Sequence, residues 1–403
     1  MNEPKAETGA PLPKPPNGPS PISGQAAPDE EQARTYHRAQ RVLSVVGFVV
    51  DFALLMLLLL AGWSVGFREA AERVSRHPAL ALLIYLLLLG LLFKIPDLVI
   101  GFLKGYWLEH RHGLSRMTFG QWLLDEAKGV AIGAAIGALG AEALYAAIRL
   151  WPRDWWVVCA AAFSLFFILL AHLAPVLLFP IFFKFKPVED SALVARLEDL
   201  SRRARTRVRG VYEWKLGEKT KKANAALMGS GSTRRIILSD TLLSNFQPDE
   251  IEAVLAHEFG HHVRRHLLWG MLVQTAITFA GFYLANRALA RWSHAFGLRG
   301  PSDFANLPLL ILTGFALSLT LLPALSAFSR RMERQADAYA LGSIPDREAF
   351  IRSMEKLAQL NLGERRPPRW IEFIFHSHPS IERRIQFARE WNPARRRTSQ
   401  AGA

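Results

Sequence analysis

Cysteine is almost missing from this chain: Cys159 stands alone, inside an apolar run, among 403 residues. One thiol closes no internal disulfide and builds no cysteine-rich metal site, so any metal must be held mainly by histidine and carboxylate. The first 40 residues lack the apolar side chains needed to pack. They are rich in proline, glycine and alanine instead (Pro11, Pro13, Pro15, Pro16, Pro19, Pro21), which predicts a disordered tail over 1–40. No long apolar run begins before about Leu43, too late for an ordinary cleavable signal peptide, so that run reads as a true first span. Acidic residues are outnumbered, 35 against 49 basic ones, giving a net charge of +14. The basic residues flank the apolar runs, and no strand-and-aromatic arrangement of the RNA-binding kind accompanies them. Composition therefore argues for anionic lipid head groups and against nucleic acid as a partner.

What the chain does have is segregated hydrophobicity, as in Leu54 to Ala61 and Ala79 to Phe93. A criterion of about 20 apolar residues per crossing gives six spans, near 43–65, 79–103, 129–150, 156–182, 267–289 and 306–328. The third carries Gly129, Gly133, Gly137 and Gly140, which suits either close helix packing or a flexible alanine/glycine helix. Lysine and arginine concentrate between spans four and five (Lys184, Arg203, Arg207, Lys222) and after span six (Arg330, Arg331, Arg334). By the positive-inside rule the N-terminus and the segments 183–266 and 329–391 face the cytoplasm. Membrane segments 41–182 and 267–328 separate them, and a basic tail occupies 392–403. Asp51, Lys94, Asp97, Glu142 and His172 lie within the spans, where ionisable groups are costly. They are expected to pair, as Lys94 and Asp97 can across one helical turn, or to line a wet chamber.

The segment Pro248–Arg265 reads as a helix. Pro248 suits its first turn, Asp249 and Glu250 its positive end, Arg264 and Arg265 its close. Within it stands His257-Glu258-Phe259-Gly260-His261. Four residues is little more than one turn, so both imidazoles point the same way and can share one ion. Glu258 lies beside them but off the ligand axis, where it can take a proton from zinc-bound water. His262 and His266 fall on other faces and read as solvated or packed. A catalytic zinc usually takes a third protein ligand. Glu333, just past span six and on the same side of the membrane, is the best candidate, although an ordinary charged helix among arginines fits the spacing equally. Asp337 shares its helical face and is suited to accept a hydrogen bond from the far nitrogen of a ligand histidine.

Taken together the motifs resemble the type I CAAX prenyl proteases, integral-membrane gluzincins, from the first span to about residue 390. The match rests on His257–His261 with Glu333 and Asp337, on Glu109-His110-Arg111-His112-Gly113-Leu114, Ala174-Pro175 and Phe185-Lys186-Pro187. Asn224-Ala225, Arg234–Leu243 and His378-Pro379 complete it. The resemblance implies one zinc per chain on His257, His261 and Glu333, with Asp337 behind them. It implies a mainly α, multi-span membrane protein: a helical barrel around a water-filled chamber, capped by a cytosolic gluzincin domain with a small β-sheet. It further implies that His378 stabilises the oxyanion, with Arg384 nearby as a substrate-binding residue, and that Asn224 and Ala225 hold the substrate backbone on a strand edge. Residues 222–239 do read as a hairpin turning at Gly229-Ser230-Gly231-Ser232, and an exposed edge can bind a peptide by adding it as a strand. The expected reaction is peptide-bond hydrolysis on a peptide or protein, including one prenylated at a C-terminal CAAX cysteine. Two rivals stand beside it. A quality-control metalloprotease of the heat-shock type shares the zinc residues but has far fewer spans before them. A transporter or lipid-binding protein would use the polar chamber and leave the zinc motif unexplained.

Overall fold

The computed structural model describes residues 30–229 and 231–392. Residues 1–29, Ser230 in the predicted turn and the tail from 393 onward lie outside the described residues. The chain opens with α1 (Glu30–Leu60), α2 (Trp63–Val74) and α3 (Pro78–Gly101), the last running through a π-helical stretch at Phe102–Trp107 into α4 (Leu108–Arg111). Then come α5 (Phe119–Leu150), α6 (Trp155–Leu177) and the single turn α7 (Phe179–Phe182). A compact section holds β1 (Phe185–Pro187), α8 (Ser191–Arg203), β2 (Val211–Trp214), β3 (Ala225–Met228), β4 (Arg235–Ser239), α9 (Asp240–Asn245) and α10 (Pro248–Val263). Two long helices, α11 (His266–Trp292) and α12 (Leu307–Ser343), precede α13 (Arg347–Leu360), α14 (Arg369–Phe375) and α15 (Ile381–Arg389).

Six helices are long and apolar enough to cross a membrane, as the sequence predicts: Glu30–Leu60, Pro78–Arg111, Phe119–Leu150, Trp155–Pro175, His266–Phe296 and Phe304–Ser343. Their apolar windows are only 0% to 22% buried within the protein, so most of that surface faces outward, where only lipid can accommodate it. The ends differ from those read off the apolar runs. The first helix is already formed at Glu30, the first described residue and inside the predicted 1–40 tail, and Ala33 and Tyr36 on it are buried. It stops at Leu60, since Gly62 takes a left-handed φ of 72° and the amphipathic α2 follows. The third begins ten residues before Gly129, where Thr118 and Gln121 form a reciprocal capping box.

At one end of the helix array a dry core gathers Leu58, Leu82, Tyr85, Tyr145, Trp155 and Leu289. There Arg68 and Asp303 form a buried ion pair, 2.5 Å apart, whose desolvated charges satisfy one another. Elsewhere the helices leave space. A cavity of about 330 Å³ is lined by Asp51, Lys94, Asp97 and Phe315. Lys94 and Asp97 both pair and line it: Lys94 donates to Asp97 at 2.6 Å and also to Glu126. A larger cavity of about 600 Å³ lies between α6 and α11, with Ser164, Phe167, Gly270, Gln274, His261 and His266 on its walls.

The compact section forms a four-stranded mixed sheet in the order β1-β2-β4-β3. β2 and β4 run parallel with Val211 opposite Ile236, while β3 pairs antiparallel to β4 with Ala225 opposite Leu238. Helices α8, α10, α13 and α15 cover the sheet through Leu197, Leu200, Leu255, Phe259, Phe350 and Ile385. α10 is buried along almost its whole length. It is fixed from outside by charge: Glu250 takes Lys356 at 2.6 Å, and Glu252 takes Arg196 and Arg203, each at 2.6 Å.

Candidate active site

Helix α10 starts where its sequence says it should. Pro248 sits at the first helical position, and Gln247 and Glu250 cap each other. One turn separates His257 from His261, and their Nε2 atoms end 3.1 Å apart. Helix α12 brings the third group. It is a single 37-residue helix, so the stretch predicted as a span and the segment carrying Glu333 are one rigid rod. α12 crosses α10 at backbone contact: a Cβ on Gly260 would lie 2.8 Å from Ala336 Cα and 2.9 Å from its carbonyl oxygen. Because Ala336 sits between them in sequence, the crossing delivers Glu333 to the inner face of the histidines and Asp337 to their outer face.

Glu333 Oε1 lies 3.3 Å from His261 Nε2, and its Oε2 lies 3.3 Å from His257 Nε2. Tetrahedral ligands bonded at about 2.0–2.1 Å stand roughly 3.3–3.4 Å from one another. Two imidazole nitrogens 3.1 Å apart, facing a carboxylate that sets one oxygen 3.3 Å from each, therefore suit one small divalent cation. Two further observations fit. Oε2 of Glu333 is buried and, although 2.8 Å from His378 Nδ1, accepts no well-aligned hydrogen bond. Burial and Arg384 push His257 towards the neutral form, yet the carboxylates of Asp337 and Glu333 beside it outweigh both and raise its pKa to about 9. The pocket thus demands positive charge. Glu258, half-buried alongside, has its carboxyl pKa raised by desolvation, with His257 and His261 pulling the other way.

Behind the triangle, Asp337 Oδ1 lies 2.8 Å from His257 Nδ1. Arg384 donates twice to the same carboxylate, at 2.9 and 2.6 Å, and its Nη2 also lies 3.2 Å from His257 Nδ1. Its guanidinium, expected on the substrate side, is thus committed to Asp337. His378 stays open to solvent, its side chain 61% exposed. Asn224 is exposed at the head of β3, the outer strand of the sheet, which packs on α10. Its Oδ1 accepts from the Ala225 amide at 2.8 Å, and Ala225 itself is buried.

One residue of the site escaped the sequence reading. His266 is buried, with Nδ1 3.0 Å from His261 Nδ1 and Nε2 3.0 Å from Gln335 Oε1. Between α10 and α11 Arg265 adopts a left-handed φ of 55°, and this break swings His266 back onto the outer nitrogen of His261.

Known proteins are similar to this chain along most of its length. The family model for Peptidase family M48 matches residues 187–392, and one described as the CAAX prenyl protease N-terminal, five membrane helices, matches 16–184. Among the described residues of that second interval, four helices are long and apolar enough to span, with the shorter α2 between the first two. An uncharacterized metalloprotease, YhfN of Bacillus subtilis, is 30% identical over 363 residues, covering 88% of this chain and 84% of that protein. CAAX prenyl protease 1 of Saccharomyces cerevisiae is 27% identical over 387 residues, with the same coverage. A crystal structure of S. mikatae Ste24p superposes with a TM-score of 0.79 at 25% identity, covering 92% of each chain. Six membrane helices, a small mixed sheet and a buried His-His-Glu triangle define a multi-pass membrane metalloprotease, an enzyme whose substrates are peptides or proteins. The chain belongs to Peptidase family M48 and, within it, resembles the CAAX prenyl proteases.

Proposed function

We propose that this protein is a zinc endopeptidase acting on peptides whose cleavage site lies at the membrane, including C-terminal CAAX tripeptides of prenylated proteins. The observation that carries the reading is the double position of His261: its Nε2 belongs to the His-His-Glu triangle, and its ring borders the 600 Å³ cavity between α6 and α11. A scissile bond at the triangle can thus extend a lipid or apolar chain into the membrane region.

His257, His261 and Glu333 hold one zinc per chain. When bound, the ion supplies Lewis acidity, lowering the pKa of water towards ~7 and polarising a carbonyl. Glu258 removes the proton of the attacking water and returns it to the leaving amine. His378, exposed and on a loop, donates to the oxygen on which negative charge develops. Asp337 fixes the tautomer and direction of His257, and His266 does the same for His261. Arg384 acts through Asp337, keeping that buried carboxylate charged. The free edge of β3 takes the substrate as an added strand, with Asn224 and Ala225 at its head. The lysine and arginine distribution supports a cytoplasmic position for residues 183–266 and 329–391, with membrane segments 41–182 and 267–328 between and tails at 1–40 and 392–403.

Detergent-purified enzyme given a farnesylated CAAX peptide will release the terminal tripeptide, lose that activity to a chelator and regain it with added zinc. Cleavage of unmodified membrane peptides alone would turn the reading towards general protein processing; no chelator-sensitive cleavage of either would sink it. Asp337→Asn will weaken metal affinity by about 10- to 100-fold, as loss of a carboxylate behind a ligand histidine does. Competition against a calibrated chelator measures this, and unchanged affinity would remove Asp337 from the assignment.

A further inference from the structure

Exposed large apolar side chains are few in the two long segments 182–265 and 344–392, which flank the last membrane helices. Across 182–265 and 344–392, among the described residues, they are Val263, beside the start of α11, and Trp370, Phe373 and Phe375 on or ending α14. The last three are 62%, 58% and 53% exposed. The helix that carries them is inverted relative to a soluble one. Its inner face buries Ile371 and also a carboxylate, Glu372, which accepts from the Ser380 amide at 3.1 Å and faces Arg383 at 3.5 Å. Trp370, Phe373 and Phe375 stay more than half exposed, Phe373 with Arg330 over its ring. Such a pattern is stable only where the outer medium is itself apolar or interfacial.

The way this segment is tied down supplies the medium. At its start, His37 Nε2 lies 2.8 Å from Leu362 O, and Arg41 donates to Glu364 at 2.6 Å. Both α1 residues stand within two turns of Leu43, where the first apolar run begins. At its end, Arg330 donates to the carbonyls of Glu372 and His376 at 2.8 and 2.7 Å, and Ser326 Oγ donates to Ile374 O at 2.8 Å. Ser326 is still within the apolar stretch of α12, which ends at Phe328. The segment 362–376 is therefore strapped between two membrane helices at the level where their apolar surfaces stop. Arg365, Arg366 and Arg369 are exposed just before the aromatic residues, and Arg366 also donates to Glu382 at 3.1 Å.

We infer that α14 is an interfacial anchor: Trp370, Phe373 and Phe375 enter the boundary between head groups and acyl chains, and the three arginines engage anionic lipid head groups. Aromatic rings beside arginines suit that layer, whose polar and apolar parts match both. The occupant is the leaflet in which α1 and α12 are already embedded, so the surface continues one the spans establish.

The test uses the full chain with Cys159→Ala, so that an introduced cysteine is the sole thiol. Nitroxide labels at Phe373→Cys and, separately, Trp370→Cys are compared with one at exposed Glu390→Cys after reconstitution into nanodiscs. Both α14 labels are expected to show an oxygen-to-nickel accessibility ratio several-fold above that of the Glu390 label. They should also become less mobile when phosphatidylglycerol replaces part of the phosphatidylcholine. A ratio equal to that of the Glu390 label overturns the anchor. So does shielding from both reagents, which would mean that protein, a second copy or the chain's own cavity covers the rings. Identical mobility in the two lipid compositions overturns the role given to the arginines.

Discussion

Glu258→Gln protein will purify with as much zinc as the wild type and cleave its peptide about 100- to 10,000-fold more slowly, the range that general acid–base catalysis supplies. The reasoning rests on what the substitution leaves alone. Glutamine keeps the shape of the side chain, and the three convergent donors come from His257, His261 and Glu333. What is lost is a basic oxygen. Burial raises the carboxyl pKa of Glu258 above the ordinary range, which makes it a better proton acceptor, while His257 and His261 keep the shift in check. Metal analysis and turnover on the same preparation decide the matter. Full turnover would move the base elsewhere, and loss of metal would make Glu258 part of the pocket's framework.

The second large effect comes from a single methyl group. In most helices Gly→Ala is stabilising by up to about 1 kcal/mol. At Gly260 the sign reverses, because the added carbon meets Ala336 Cα at 2.8 Å and Ala336 O at 2.9 Å, backbone atoms that cannot rotate away. Overpacking of this kind costs about 1–3 kcal/mol. Relieving it means parting α10 from α12, and these helices carry the two histidines and the carboxylate respectively. Gly260→Ala is therefore expected to unfold at lower temperature and to bind metal more weakly. Thermal unfolding with and without added zinc measures both; a variant matching the wild type in each would show that the crossing has slack.

These two cases also mark how far the sequence could be read. Six spans and the pair His257 and His261 follow from composition and a one-turn spacing, which are local properties. Glu333 could be offered only as a candidate on spacing, since what selects it is a helix crossing 76 residues away. Within His257–His261, Gly260 reads as filler; its purpose is visible only with Ala336 against it. The packing of His266 against His261 is hidden for a different reason. Face arithmetic assumes a continuous helix, and the left-handed Arg265 interrupts it. That α1 is already helical before Leu43 is likewise hidden, because Tyr36 packs with Leu108, Leu114 and Leu362 from distant segments. Arg384, whose partner is a buried aspartate, shows that a resemblance can name a residue without saying what it touches.

The continuity of α12 sets a ruler. Glu333 stands five positions beyond Phe328, about 7–8 Å along the helix axis from where the apolar surface ends. An extended chain covers that distance in two to three residues, at roughly 3.3–3.6 Å each. On the function proposed above, a bond presented to Glu333 therefore lies within a few residues of whatever fastens the substrate to the bilayer. A folded domain tethered by a long linker gains nothing from the membrane, whereas a short tail behind a lipid or a span is already at the right height. Selection by tether length would operate even if the pocket read no side chain at all.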